Sequence, residues 1–519
     1  MDRFTAGNRR LFLRGWSLAV RGTAGFSRDA GFSDAVGCDT CMSPKLVNPN
    51  ETCVCAQAGA TDYRDESGVE RLVQVALDEL RLEAGFVRPG DRVVLKPNWV
   101  KEHDERFPGP DRWEHMVTHP TVIEAVARWV GSRLAGRGRI TICDAPQTDS
   151  SFARIREYCG LDALVARCQR AFPGVEFALL DLRPEEWHAV DGVTVGRISL
   201  PGDTRGITQV ALNEASEFVG FGGLGRLYGA SYDMEETNAR HTGLRHEYLL
   251  CRTPMEADVF INLPKLKTHK KVGITCALKN LVGINANKNW LPHHTEGTPE
   301  QGGDQFPAGT VKARLEHSWM GAIKRFLRHR PGLSRWFVPL KKAGRLVFGD
   351  TQQVIRSGNW HGNDTCWRMV LDLNKCLFFF EGNAQPRREP LRYLAVVDGI
   401  VAGEGNGPMS PDPKLCGVIL AGRHPAAVDC VAATLMGFEW RKLRLLERAF
   451  EMRAPSFTSF EADDIEICSN RPEWQGPLRE IRRTFQFRPH FGWIGTIERQ
   501  GDGTPEEAEI SGWARKDGA

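Results

Sequence analysis

The sequence predicts an α/β protein, a mostly parallel sheet flanked by helices, with an inserted hairpin and a helical insertion. Three observations carry this. Short continuous apolar runs alternate with longer stretches of helical periodicity. A run such as Val93-Val94-Leu95 is apolar at consecutive positions, as suits a strand buried on both faces. Turn residues, such as Pro89-Gly90, separate the two kinds of segment.

Taken in order, residues 1–62 are rich in Gly, Ser, Thr and Asp without strong periodicity and read as an N-terminal extension. The α/β core is expected over 63–440. Val69, Leu72, Val73, Val75, Ala76 and Leu80 recur at helical spacing, and Val93-Val94-Leu95 reads as a strand. Pro120 is placed to open a helix that carries its apolar stripe from Val122 to Leu134. Ile140–Cys143 reads as a strand, 152–172 as helices and Val175–Leu182 as a strand. Asp191-Gly192 marks the inserted hairpin. Val259–Leu263 reads as a strand and Ile274–Val282 as a helix. Residues 285–365 lack a strand signal and form the helical insertion. The core resumes with a helix over 367–380, strands at Leu394–Val397 and Val418–Ala421, and a helix over Ala427–Met436. Residues 441–519 read as a C-terminal extension.

Composition is that of an ordinary globular protein, with 41% apolar and 26% charged residues. The 68 basic and 65 acidic residues nearly balance, so no global field draws the chain to nucleic acid or membrane. No run approaches the roughly 18 apolar residues of a membrane-spanning helix. Ten of the 14 cysteines, Cys143 to Cys468, are scattered through apolar segments as small buried hydrophobes. That usage favours a reducing compartment, the cytoplasm. Arg9-Arg10 followed by Leu-Phe-Leu has the look of a twin-arginine leader, but Arg21 interrupts the apolar stretch that export to the periplasm needs.

Nearly every expected core strand runs into polar residues. Lys96 and Asn98 follow the first and Asp144 the second. Lys265, Lys267, Thr268 and His269 follow Asn262, and Glu404, Gly405, Asn406 and Gly407 follow Asp398. In parallel sheets, ligands bind beyond the carboxyl ends of the strands. Lys96, Lys265, Lys267 and Lys279, with Asn98, Thr268 and Asn280, would bind a small phosphate- or carboxylate-bearing anion. The Gly403–Gly407 backbone would add a concave anion nest. His269, His119, Asp398 and Glu404 are the candidates for proton work. Asp144 and Asp429 are the candidate ligands of a divalent metal. No Gly-x-x-x-x-Gly-Lys-Ser/Thr occurs, and no Gly-x-Gly-x-x-Gly follows the first strand, so neither nucleotide-binding fingerprint applies.

Cys38, Cys41, Cys53 and Cys55 place four thiols within 18 residues, a set that would hold zinc or an iron–sulfur cluster. A cluster there would make the chain a redox protein. Residues 324–345 carry eight Lys or Arg with interleaved Phe, Trp and Leu and no acid. They would suit an anionic membrane surface or a helical cap over the cleft. A non-catalytic ligand-binding or membrane-peripheral role is the remaining alternative.

Val-Leu-Lys96-Pro-Asn98, Thr118-His119-Pro120, Asn262-Leu-Pro-Lys265-Leu-Lys267-Thr268-His269 and Ala277-Leu-Lys279-Asn280-Leu-Val-Gly283 form an ordered series. It continues through Gly362-Asn363-Asp364-Thr365, Asp398-Gly399-Ile, Gly405-Asn406-Gly407-Pro408 and Pro425-Ala-Ala-Val-Asp429. The series resembles the family catalogued as domain of unknown function 362, over roughly residues 65–440. Some members of that family are iron–sulfur associated through an attached ferredoxin-like domain. This chain lacks the Cys-x-x-Cys-x-x-Cys-x-x-x-Cys-Pro run of such domains.

Overall fold

A strand that is apolar at consecutive positions must be covered twice, because successive side chains point to opposite faces. Val93 and Leu95 pack in one buried cluster and Val94 in another. The same division recurs at Val259 and Ile261 against Phe260, and at Leu394 and Val396 against Ala395 and Val397. The architecture is therefore helices, sheet, helices. The computed structural model describes residues 49–60, 62–190, 193–231, 233–308, 354–482 and 485–499. Residues 46–519 form one unit.

The central sheet comprises β1 (Cys53–Ala58), β2 (Arg92–Pro97), β3 (Gly138–Asp144), β4 (Val175–Asp181), β5 (Val259–Leu263), β6 (Lys265–His269), β7 (Gly273–Thr275), β8 (Arg392–Asn406), β9 (Ser410–Gly422), β10 (Glu466–Ser469) and β11 (Gly476–Pro477). The main path runs β11-β10-β1-β9-β8-β5-β2-β3-β4, and β6 joins through β8 and β7. Pairing is parallel from β8 through β5, β2 and β3 to β4, and antiparallel at β8–β9 and β9–β1. One face is covered by α1 (Glu66–Glu79), α2 (Pro120–Arg133), α3 (Phe152–Tyr158) and α4 (Leu161–Ala171). On the other lie α5 (Cys366–Phe379) and α6 (Pro425–Leu435). The Asp65 carboxylate caps α1 by accepting from Gly68 N at 2.9 Å, and Pro120 supplies α2 with a first residue that needs no amide partner.

Several expectations are corrected. The strand expected to end at Asp398 continues to Asn406 and returns as β9, a long antiparallel hairpin. Glycine and proline there read as turn residues. The glycines instead serve close approach, since a Cβ on Gly403 would sit 2.9 Å from His115 O. Ile274–Val282 is not one helix: β7 is followed by a single α-turn, Ala277–Asn280, and a 3₁₀ turn, Leu281–Ile284. Within 285–365, the described part contains a strand, Pro292–Thr295, paired with Leu227–Gly229. The basic segment 324–345 lies outside the described residues, as do Cys38, Cys41 and the twin-arginine pattern. Both flanking extensions contribute to the sheet, through β1 and through β10 and β11. The hairpin around residues 191–192 has its two strands, Glu185–Val190 and Val193–Ser199. Among the described residues no helix is long and apolar enough to cross a membrane.

Candidate functional site

The carboxyl ends of β2 and β3, with β6 and the chain that follows it, surround a cavity of about 190 Å³. Its wall carries Lys96, Lys267, Lys270, Lys271, Lys279 and Lys288, together with His269, His293 and His294. Among the described residues Asp144 is its one carboxylate. That carboxylate is already engaged: Oδ1 lies 2.8 Å from Lys96 Nζ, and its oxygens accept from Trp99 N at 2.7 Å and Ala145 N at 2.8 Å. Asn280 ties the floor together. Its Oδ1 accepts from Asn98 Nδ2 at 2.9 Å and Lys96 Nζ at 3.2 Å, while Nδ2 donates to Asn262 Oδ1 at 2.7 Å. Gly283 backs against the ion pair, where a Cβ would fall 2.6 Å from Lys96 Nζ.

Five of the six lysines thus lack a carboxylate partner on the cavity wall. Lys271 donates to Ser357 O and Lys288 to Ala145 O at 2.8 Å, which positions the ammonium groups without neutralising them. Lys267 donates to Met116 O. Lys270 and Lys279 make no side-chain hydrogen bond or ion pair with another described residue. Burial pushes Lys271 down to about 7 and Lys288 down to about 8, Asp144 partly opposing the second shift. Lys267, Lys270 and Lys279 are likewise lowered, by burial first and neighbouring lysines second. His269 and His293 fall well below the ordinary imidazole range for the same two reasons and are neutral. Asn98 Oδ1 and Thr275 Oγ1, also on the wall, are buried with no hydrogen-bond partner. A buried polar group left unpaired costs about 1–3 kcal/mol, which a polar ligand would recover.

Of the residues picked out in the sequence, Lys96, Asn98, Asp144, Lys267, His269, Lys279 and Asn280 line this cavity. Lys265, Asp398 and His119 do not. They form a separate buried network, in which Lys265 Nζ donates to Tyr63 OH at 2.6 Å and to Asp398 Oδ2 at 2.9 Å. Asp398 also accepts from Tyr63 OH at 2.6 Å and His119 N at 2.8 Å. The His119 ring stacks on Tyr63 at 3.7 Å, and its Nδ1 accepts from Thr121 N as the cap of α2. The register shift between Lys265 and Lys267 sends the two lysines to different partners, so they do not grip one group together.

Thr268 Oγ1 donates to Gly405 O at 2.9 Å, and Gly407 N donates to Gly405 O at 2.8 Å. Residues 403–406 are paired in the hairpin with 410–413 and Gly405 N donates to Arg488 O, so no anion nest forms over Gly403–Gly407. Glu404 pairs with Lys414 at 3.1 Å and accepts from Arg488 N. Asp429 accepts from Ala277 N at 2.6 Å and Leu278 N at 3.0 Å, capping the turn that presents Lys279. Its role is to orient that turn. Cys55 is buried in β1, opposite Cys468, with Cys53 half-buried. Among the described residues no group of three or more His, Cys, Asp or Glu is placed to hold a metal ion.

Sequence reasoning missed Lys270, Lys271, Thr275, Lys288, His293 and His294. Lys270 and Lys271 directly follow His269, and their density was the available signal. Lys288, His293 and His294 fell in the stretch read as an insertion.

The model of the family described as domain of unknown function (DUF362) matches residues 93–203 and 202–434, more than half of the chain. The chain belongs to the DUF362 family. The match takes in every residue of the cavity wall. The chain is also 24% identical, over 364 residues, to the thylakoid-associated protein sll1697 of Synechocystis sp., covering 70% of this chain and 68% of that protein. A solved structure of a Thermotoga maritima protein overlaps 44% of this DUF362 chain and 40% of its own, at 14% identity and a TM-score of 0.24. That likeness carries no argument about fold or function.

Proposed function

We propose that the cavity binds a small, multiply charged anion bearing phosphate or carboxylate groups, and that the protein acts on it as an enzyme. One observation carries the reading: the cavity wall holds six lysines and a single carboxylate, and that carboxylate is spent on Lys96. Gathering five lysines that have no carboxylate partner on that wall, with Lys267, Lys271 and Lys279 buried, is costly unless a counter-charge arrives. Asn98 Oδ1 and Thr275 Oγ1 offer acceptor sites for any hydroxyl the anion carries. The described wall does not fit a divalent metal, because its one described carboxylate is engaged by Lys96 and two amides.

The test is titration calorimetry with inorganic phosphate, pyrophosphate and citrate, on wild type and Lys279→Met. Saturable binding that weakens with salt and is lost in the variant supports the reading. Absence of binding by all three anions at millimolar concentration overturns it.

A second reading, attachment to an anionic membrane surface, is favoured by the relative described as thylakoid-associated. The basic segment 324–345 would make that contact. Co-sedimentation with vesicles containing anionic lipid, against neutral vesicles, decides it.

A further inference from the structure

Two histidines on the cavity wall are held in opposite tautomers. His269 Nδ1 accepts from Lys271 N at 3.0 Å and Val272 N at 3.3 Å. A nitrogen that accepts two amide hydrogens carries none, so the proton of the neutral ring sits on Nε2. His293 is reversed. Its Nδ1 lies 2.9 Å from Leu291 O, and a carbonyl can only accept, so the proton sits on Nδ1 and Nε2 keeps its lone pair. Neither Nε2 bonds to another described residue, and both rings line the same cavity. Backbone groups of adjacent residues set both tautomers, so neither depends on a side chain that a ligand would displace.

From this geometry we infer that the cavity is a proton-transfer site, with His293 Nε2 as the base and His269 Nε2–H as a neutral hydrogen-bond donor. The substrate class is a small anion with an acidic C–H beside a carbonyl or carboxylate. The inference rests on the anion-binding reading and adds a reaction to it. The lysines hold the charged group. The C–H bond breaks and its proton passes to His293 Nε2. Negative charge develops on the carbonyl oxygen, which His269 Nε2–H stabilises by a hydrogen bond without giving up its proton. Return of a proton from His293 to the same carbon regenerates the substrate, so the net step is exchange of that C–H hydrogen with solvent through His293, and no oxidant or reductant is consumed. Burial and the surrounding lysines hold both rings neutral without a bound anion, so the positive charge His293 gains in the step requires the anion's charge beside it, while His269 donates as a neutral imidazole.

Bromoacetate tests this directly, since it joins a carboxylate to an electrophilic carbon. Attack by an imidazole lone pair forms an N–C bond and releases bromide. Peptide mapping of the full chain should find carboxymethylation at His293 and none at His269. The His293 rate should exceed that with neutral bromoacetamide by at least about tenfold, and pyrophosphate should suppress it. Because burial, with Lys279, Lys271 and Lys288 on the same wall, keeps His293 unprotonated, its rate should stay flat between about pH 5.5 and 8, where a free imidazole slows several-fold. Nitrogen-15 spectra of histidine-labelled protein should show the Nε2–H form for His269 and the Nδ1–H form for His293. If pyrophosphate binds by calorimetry but His293 is not alkylated, or the tautomers are not opposite, the proton-transfer assignment falls and the anion site stands. If pyrophosphate does not bind and bromoacetate shows no advantage over bromoacetamide, the anion site itself falls.

Discussion

Lys96 and Asp144 form a buried ion pair, 2.8 Å apart, at the ends of adjacent parallel strands β2 and β3. The pair sits on the cavity wall yet contributes little net charge to it, which makes it a structural support for the anion site. Removing one partner of such a pair strands the other. Asp144→Asn should lower unfolding free energy by about 3–5 kcal/mol in a urea titration. Lys96→Met combined with Asp144→Asn should recover much of that loss. Equal destabilisation in the single and double variants would show that the cost comes from the Trp99 and Ala145 amides alone.

Lys279 presents the opposite case. Its ammonium is buried without a hydrogen bond or ion pair to another described residue, and burial lowers its proton affinity. Lys279→Met keeps the aliphatic stem and deletes the charge. Stability at pH 7 should rise by about 1 kcal/mol while anion affinity falls at least about tenfold, the trade expected of a residue kept for binding. A stability loss of similar size would place Lys279 among the structural lysines.

The depressed lysines give a pH signature. Lys271 is held at about 7 and Lys288 at about 8 in the folded protein, against roughly 10.4 when unfolded. Between those values the unfolded chain binds more protons, so stability from these groups increases as pH rises from about 7 toward 10. Their destabilising effect is complete about one pH unit below the lower of the two folded values. The difference in melting temperature between wild type and Lys288→Met should therefore shrink as pH rises. Anion binding favours the charged forms, so calorimetry in buffers of different ionisation enthalpy should report proton uptake near pH 8. Proton release would contradict the assignment.

Tyr63 lies in the network that the sequence had grouped with the site. Its hydroxyl donates to Asp398 and accepts from Lys265. Tyr63→Phe should cost about 1–3 kcal/mol of stability, and leave anion affinity unchanged within about twofold. A selective loss of affinity would instead connect the two clusters.

Much of the sheet was legible because β2, β3 and β5 each hold a short run that is mostly apolar on both faces, such as Val93-Val94-Leu95. The site was legible where residues follow those strands, as at Lys96, Asn98, Asp144 and His269. It was misread where a local rule yields to a tertiary one. Asp398 precedes Gly399, which looks like a strand end. In the fold, the absence of a side chain at Gly399, Gly403 and Gly407 lets Val418, His115 and Thr268 press against the strand. Asp429 carries a carboxylate in an apolar helix, a pattern shared by metal ligands and by residues that cap a turn from a distance. Only the position of Ala277 and Leu278 separates the two. His293 lay beyond reach because its neighbours in sequence contain no strand-length apolar run.

The meeting of β1 with β9 and β10 has a practical consequence. The family match begins at residue 93 and ends at 434, and so omits β1, α1 and β10. In the whole chain, Val418–Gly422 of β9 is paired along its outer side by β1, and Ile419 and Ala421 share a buried cluster with Val69 and Val73 of α1. A fragment cut to 93–434 would leave that strand as a bare edge with one apolar face uncovered. Such an edge recruits other chains and aggregates. The family-matched region is thus a poor unit for expression, and the flanking segments act as its built-in protection against self-association.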